Sequence, residues 1–234
     1  MTISQMSLKI NLNFKKVVKW VAIAALGVFL LVFFIRVAIF ENNYYQEKEG
    51  SEREIVEIEE EEVLDETTPT EEEVIEYTVA ADRPRYLSIA KLGVVNSRVL
   101  AMGVKANGKM ATPNNIFDVG WYESSGKPGQ GGTLVIDGHN GGPNIRGVFK
   151  DLPKLVEGDV IKIERGDGSV FRYEVVENVA IPIDEANNYM KTAFKSPIKG
   201  KESVTLISCS GEWVIRPDRN TYSMRQFVRA ILVD

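Results

Sequence analysis

The chain has 234 residues and a mass of 26.2 kDa, with 44% hydrophobic and 26% charged residues, which suits one domain-sized core and excludes a large multidomain enzyme. Its net charge of −5 averages three unlike stretches: five basic residues and no acids over 1–40, sixteen acids against Lys48 and Arg53 over 41–77, and twenty-one basic against seventeen acidic residues over 78–234. The mildly basic remainder has no basic patch interleaved with aromatics, which argues against nucleic acid as a main partner. One Cys and one His exclude an intrachain disulfide and a Cys/His zinc site.

Taken in chain order, residues 1–19 read as a cytoplasmic tail and 20–40 as a transmembrane anchor. The run WVAIAALGVFLLVFFIRVAIF is interrupted only by Arg36. As a helix it would be roughly 30 Å long, the thickness of a bilayer's hydrocarbon core. Arg36 lies near the outer end, where its stem can reach the headgroups. Lys9, Lys15, Lys16 and Lys19 precede the run and acids follow it, so the positive-inside rule puts the N-terminus in the cytoplasm and the rest outside. Cleavage as a signal peptide is disfavoured, because Ala22-Ile23-Ala24 sits inside the apolar run.

Residues 41–82 read as an acidic flexible linker, with too few large apolar residues to bury and charges that repel one another. A coil of that length spans about 36 Å. Its simpler role is a spacer; a regulatory arm folded over an active site is the sharper alternative.

Residues 83–234 read as one domain of short strands, over 85–89, 94–99, 132–136, 160–164, 171–179, 204–208 and 226–233, separated by turn residues. Gly166-Asp167-Gly168 joins two of these as a hairpin. Short helices are expected over 145–151 and 185–193. Many strands with few helices predict a mostly β barrel or sandwich.

Candidates for chemistry are few. His139, the sole histidine, follows the strand TLVID and opens the loop HNGGPN, and Cys209, the sole cysteine, follows VTLIS. Both stand where strands run into loops. A lone Cys is more often a small buried hydrophobe, and a lone His more often structural. A thiol nucleophile needs a neighbouring acid/base, which His139 can supply, and donors for a developing oxyanion. If the strands around loop 210–224 pair antiparallel, Arg225 lies at the same end as Cys209, whereas Arg229 is about 13 Å further along. Arg216 and Arg219, inside the loop, remain alternatives.

Together these residues resemble the sortases, the cysteine transpeptidases of Gram-positive cell surfaces. Thr205-Leu206-Ile207-Ser208-Cys209 is similar to the family's TLxTC signature, Gly138-His139 to its GH element, and Arg225 to its arginine after the Cys-bearing strand. Leu92-Gly93-Val94 and Gly120-Trp121-Tyr122 add to the likeness, which runs from about Tyr86 to Val233. His, Cys seventy residues later and Arg sixteen after that is a specific arrangement. There are two departures: Ser208 stands where Thr is usual, keeping the hydroxyl but losing a methyl from a substrate contact, and Asp137 puts a charge before Gly138-His139.

The resemblance implies a closed eight-stranded β-barrel with Cys209 as nucleophile, His139 as acid/base, Arg225 as oxyanion and substrate binder, and Ser208 in contact with substrate. It implies cleavage of an LPxTG-like sorting signal on secreted proteins through a Cys thioester, and transfer to an amine of peptidoglycan or of a pilin lysine. Residues 181–203 would select the signal. No cofactor or metal is expected, and a calcium brace on that loop has no support in the sequence. Pilin polymerases of the family usually carry an Asp-Pro-aromatic lid motif, which 41–82 lacks, favouring protein anchoring to the cell wall. L,D-transpeptidases place a His two residues before the Cys, where Ile207 stands, and papain-like peptidases reverse the Cys–His order. The alternative of a different kind is a membrane-anchored binding module with Cys209 merely buried.

Overall fold

The computed structural model describes residues 64–105, 110–216 and 220–234, together with 19, 20, 33, 35–37 and 39. The chain divides into units 1–61 and 62–234. In the first, the described residues, Lys19, Trp20, Phe33, Ile35, Arg36, Val37 and Ile39, are helical and exposed. Among the described residues no helix is long and apolar enough to cross a membrane. Most of the expected anchor over 20–40 lies outside them, as does the first part of the expected linker.

The second unit is a closed barrel of eight strands: β1 (Pro84–Ile89), β2 (Val94–Met102), β3 (Val119–Tyr122), β4 (Thr133–Gly138), β5 (Val160–Arg165), β6 (Val170–Pro182), β7 (Ser203–Ile215) and β8 (Asn220–Leu232). Their order around the barrel is β1-β2-β3-β4-β7-β8-β6-β5, with β5 returning to β1. The β2–β3 and β4–β7 pairs are parallel and the others antiparallel. Closure leaves no open sheet edge.

Strand alternation sorts the apolar residues into two clusters. Leu134 and Ile136 of β4, Leu206 of β7 and Val228 of β8 point inward, with Trp121 and Phe149. Val135, Ile207 and Phe227 point outward and are covered by helix α2 (Ile183–Ala193) through Ala193, Tyr189 and Met190. A buried outer face explains why β4 and β7 read as nearly continuous apolar runs.

Hairpin β5–β6 forms at the expected turn: Asp167 Oδ1 accepts the Ser169 N–H at 3.0 Å, and Gly168 adopts φ 84°. The short β3 was not among the expected strands, since four residues are too few for an alternation signal. The expected helix over 145–151 is a series of turns ending in a 3-10 turn, Leu152–Lys154. Gly147 there packs against the His139 carbonyl, and Pro153 follows too closely for an α-helix to extend.

The end of the expected linker also differs. Helix α1 (Glu71–Glu76) is closed by a reciprocal box, in which Thr70 Oγ1 accepts from the Glu73 N–H and Glu73 Oε2 accepts from the Thr70 N–H at 2.7 Å. Tyr77 Oη donates to the Val99 carbonyl at 2.6 Å, and Arg85 Nε to the Tyr77 carbonyl at 2.7 Å. Residues 64–82 are therefore laid against the barrel, because their polar groups find partners there rather than in water.

Candidate active site

Cys209 lies within β7 rather than at its end, since the strand continues to Ile215. A bulge between Ser210 and Trp213 permits this, and Gly211 adopts φ 80° within it. Any side chain at Gly211 would be strained by that backbone and would meet Ser223 Oγ at 2.5 Å.

Across the antiparallel β7–β8 pair, Cys209 is directly opposite Arg225. On the other side, parallel pairing sets Asp137 of β4 beside Ile207 of β7. Two residues beyond that pair, the chains reach His139 and Cys209. Cys209 and Arg225 thus share one row on the outward face, and His139 stands just past the end of β4, where that row would continue. The row before it is Asp137, Ile207 and Phe227. Cys209 and His139 are both partly exposed.

His139 Nε2 lies 2.7 Å from the Pro113 carbonyl. A proline carbonyl can only accept, so Nε2 carries a proton in this contact. The Arg225 guanidinium is half-buried and donates to its own hairpin: to the carbonyls of Met224 at 3.1 Å and Tyr222 at 3.4 Å, and to Thr221 Oγ1 at 3.3 Å. No carboxylate among the described residues pairs with it.

Ser208 differs from the expected substrate contact. It is 4% exposed and faces the barrel interior, opposite Cys209. Its hydroxyl donates to the Gly138 carbonyl at 2.9 Å, tying the strand that leads into His139 to the one that bears Cys209. The other arginines have structural partners. Arg216 pairs with Asp184 of α2, and Arg229 is 6% exposed, paired with Glu177 and donating to the Lys195 carbonyl at 2.9 Å. Arg219 lies outside the described residues.

Asp137 is the residue of the site whose chemistry the sequence raised without resolving. Burial pushes its carboxyl up to about 7, against the opposing effect of the Thr112 hydroxyl, which donates to Oδ2 at 2.8 Å. The residue keeps some accessible surface, but Oδ1 is enclosed, without a hydrogen-bond partner among the described residues and against the bare backbone of Gly120. No group of three or more His, Cys, Asp or Glu side chains among the described residues is placed to hold a metal ion.

A sortase-domain family model matches residues 87–233. Similar solved structures include sortase C from Clostridium perfringens SM101, at 20% identity over 67% of this chain and 73% of that one, with a TM-score of 0.44. Sortase A from Corynebacterium diphtheriae is 26% identical over 66% of this chain and 63% of that one, with a TM-score of 0.46. A Clostridium perfringens sortase D5 transpeptidase is 22% identical over 71% and 91%, with a TM-score of 0.45. A search of curated proteins found no match.

Proposed function

This chain belongs to the sortase family of cysteine transpeptidases, and we propose that it is anchored in the cell membrane by residues 20–40, with its barrel outside. There it cleaves an LPxTG-like sorting signal and transfers the acyl group to an amine. The observation that carries the reading is Cys209 directly opposite Arg225 on β7 and β8, with His139 directly after β4, the strand paired with β7 on its other side.

In this mechanism the Cys209 thiolate attacks the scissile carbonyl carbon and a C–S bond forms. The oxygen becomes an oxyanion, beside which the Arg225 guanidinium stands as a donor that never deprotonates. His139 gives a proton to the leaving amine as the C–N bond breaks, leaving a thioester. With Nε2 directed at the Pro113 carbonyl, Nδ1 is the ring nitrogen that exchanges this proton. An amine acceptor, from peptidoglycan or a pilin lysine, then attacks the thioester; His139 takes its proton, an amide forms and the thiolate leaves.

Cys209→Ala should abolish both peptide cleavage and transfer to an amine, read by mass spectrometry of the products. His139→Ala should do nearly as much damage, since no second histidine can substitute. Amide product from Cys209→Ala at a comparable rate would refute the reading, as would a wild-type protein that cleaves no sorting-signal peptide.

A further inference from the structure

His139 is flanked by two loops without regular secondary structure. The 111–118 loop supplies the Pro113 carbonyl that Nε2 contacts. The 140–147 loop leaves His139 and folds back on it: the Phe149 N–H donates to the His139 carbonyl, and the Gly147 N–H to the Asn140 carbonyl, each at 2.9 Å. Two consecutive residues ahead of α1 hold these loops from outside.

Asp65 holds the first. Its N–H donates to the Asn114 carbonyl and its carbonyl accepts the Ile116 N–H, both at 3.0 Å, while Asn115 Nδ2 donates to Asp65 Oδ2 at 2.9 Å. Glu66 holds the second. Its Oε1 accepts the backbone N–H groups of Asn144 at 2.8 Å and Ile145 at 3.2 Å, and its Oε2 accepts Asn144 Nδ2 at 2.8 Å. Gly142 completes the seat, because a Cβ there would collide with the Glu66 carboxylate. The donors hold both carboxyls below their ordinary range, chiefly the Asn115 side chain for Asp65 and the Asn144 backbone N–H for Glu66.

We propose that residues 65–66 form a strap that sets the position of the His139 imidazole by fixing the loops on both sides of it, with Glu66 as a positioning residue for the transpeptidation. This rests on the reading of His139 as the acid/base. Among the described residues the Glu66 carboxylate bonds to the 144–145 backbone and the Asn144 side chain alone, so its loss should free the loop without opening the barrel core. A misplacement of about 1 Å in a reacting group can cost on the order of 100-fold in rate, which makes a surface strap consequential for chemistry.

The test uses the full-length chain with Glu66→Ala and Glu66→Gln. With one histidine in the protein, its imidazole C2–H proton gives a single assignable NMR line. Glu66→Ala should move and broaden that line and speed exchange of the Asn144 and Ile145 amides about tenfold or more. It should lower kcat roughly 10- to 100-fold, with KM for a sorting-signal peptide changed less than about twofold. Glu66→Gln retains an oxygen that can accept both backbone N–H groups, so it should keep most of kcat. An unmoved histidine line with unchanged amide exchange in Glu66→Ala would overturn the strap. So would a Gln variant as impaired as the Ala variant, or a fall in activity accounted for by unfolding. A wild-type protein inactive on the peptide would instead refute the proposed function, while the NMR line and amide exchange would still decide the strap.

Discussion

Asp137 stands two residues before His139 and should make the molecule's stability depend on pH. With its folded pKa at about 7 against 3.8, the folded state holds a proton between those values that the unfolded chain has released. Stability from this group is therefore fully present below about pH 4 and lost as pH rises through about 7. The slope can reach about 1.4 kcal/mol per pH unit in that window. Asp137→Asn should flatten the slope and leave the variant more stable than wild type at pH 8, measured by denaturant unfolding at pH 5, 6, 7 and 8. Equal slopes would mean that the carboxyl ionises as it does in water.

Two arginines on the same face of β8 should separate cleanly. Arg225→Lys keeps the charge opposite Cys209 but loses the planar fork. The loss of one oxyanion donor costs on the order of 10²–10³ in rate, and kcat/KM on one peptide should fall by that order without loss of fold. Arg229→Ala leaves Glu177 without its cationic partner, with only the Tyr189 hydroxyl donating to it at 2.6 Å. That exposes a partly buried charge, and because the Glu177 side chain is 31% exposed the cost should be below the roughly 3–5 kcal/mol of a fully buried pair. It should melt earlier while keeping its turnover per folded molecule. Near-normal activity in Arg225→Lys, or a stable but inactive Arg229→Ala, would move the oxyanion role to another arginine.

Among the elements, β7 carries most of the site. Its expected end at Ser208 comes from reading Ser210-Gly211-Glu212 as loop residues, whereas the bulge lets the strand pass through them to pair Trp213 with Tyr222. Gly211→Ala must hold a non-glycine residue at φ 80° and displace Ser223, at about 1–3 kcal/mol. Because the bulge begins one residue after Cys209, the same variant should alter the rate of Cys209 alkylation in the folded protein. Unchanged melting and alkylation together would show that the bulge does not set the thiol's position. Helix α2, covering Val135, Ile207 and Phe227, was legible as a short helix. That it roofs the outer face of the strands bearing the site was not, because packing partners far apart in sequence leave no local pattern.

At the scale of the whole molecule, closure of β5 onto β1 completes the barrel, while residues 64–82 form an acidic collar on it. The same stretch reads from its composition as solvated spacer. Asp65 and Glu66 are two among sixteen acids over 41–77, and composition cannot distinguish an acid that faces water from one that meets backbone N–H groups. The difference lies in the acceptors' positions relative to two folded loops.

By itself the sequence determined the barrel's strand-rich character, the β5–β6 turn, and the three residues able to support thiol chemistry. It also made Arg225 the better-placed arginine if the strands around loop 210–224 pair antiparallel, and the structure supplied that pairing, with Cys209 directly opposite Arg225. Only the tertiary structure decided that the strand leading into His139 lies beside the one bearing Cys209. His139 arrives through the parallel β4–β7 pair, whose partners are seventy residues apart and joined by a long crossover, and such pairing has no short-range signature. The same is true of Ser208 facing inward, Asp137 being enclosed and the strap reaching the His139 loops: each depends on which surfaces the closed barrel brings together.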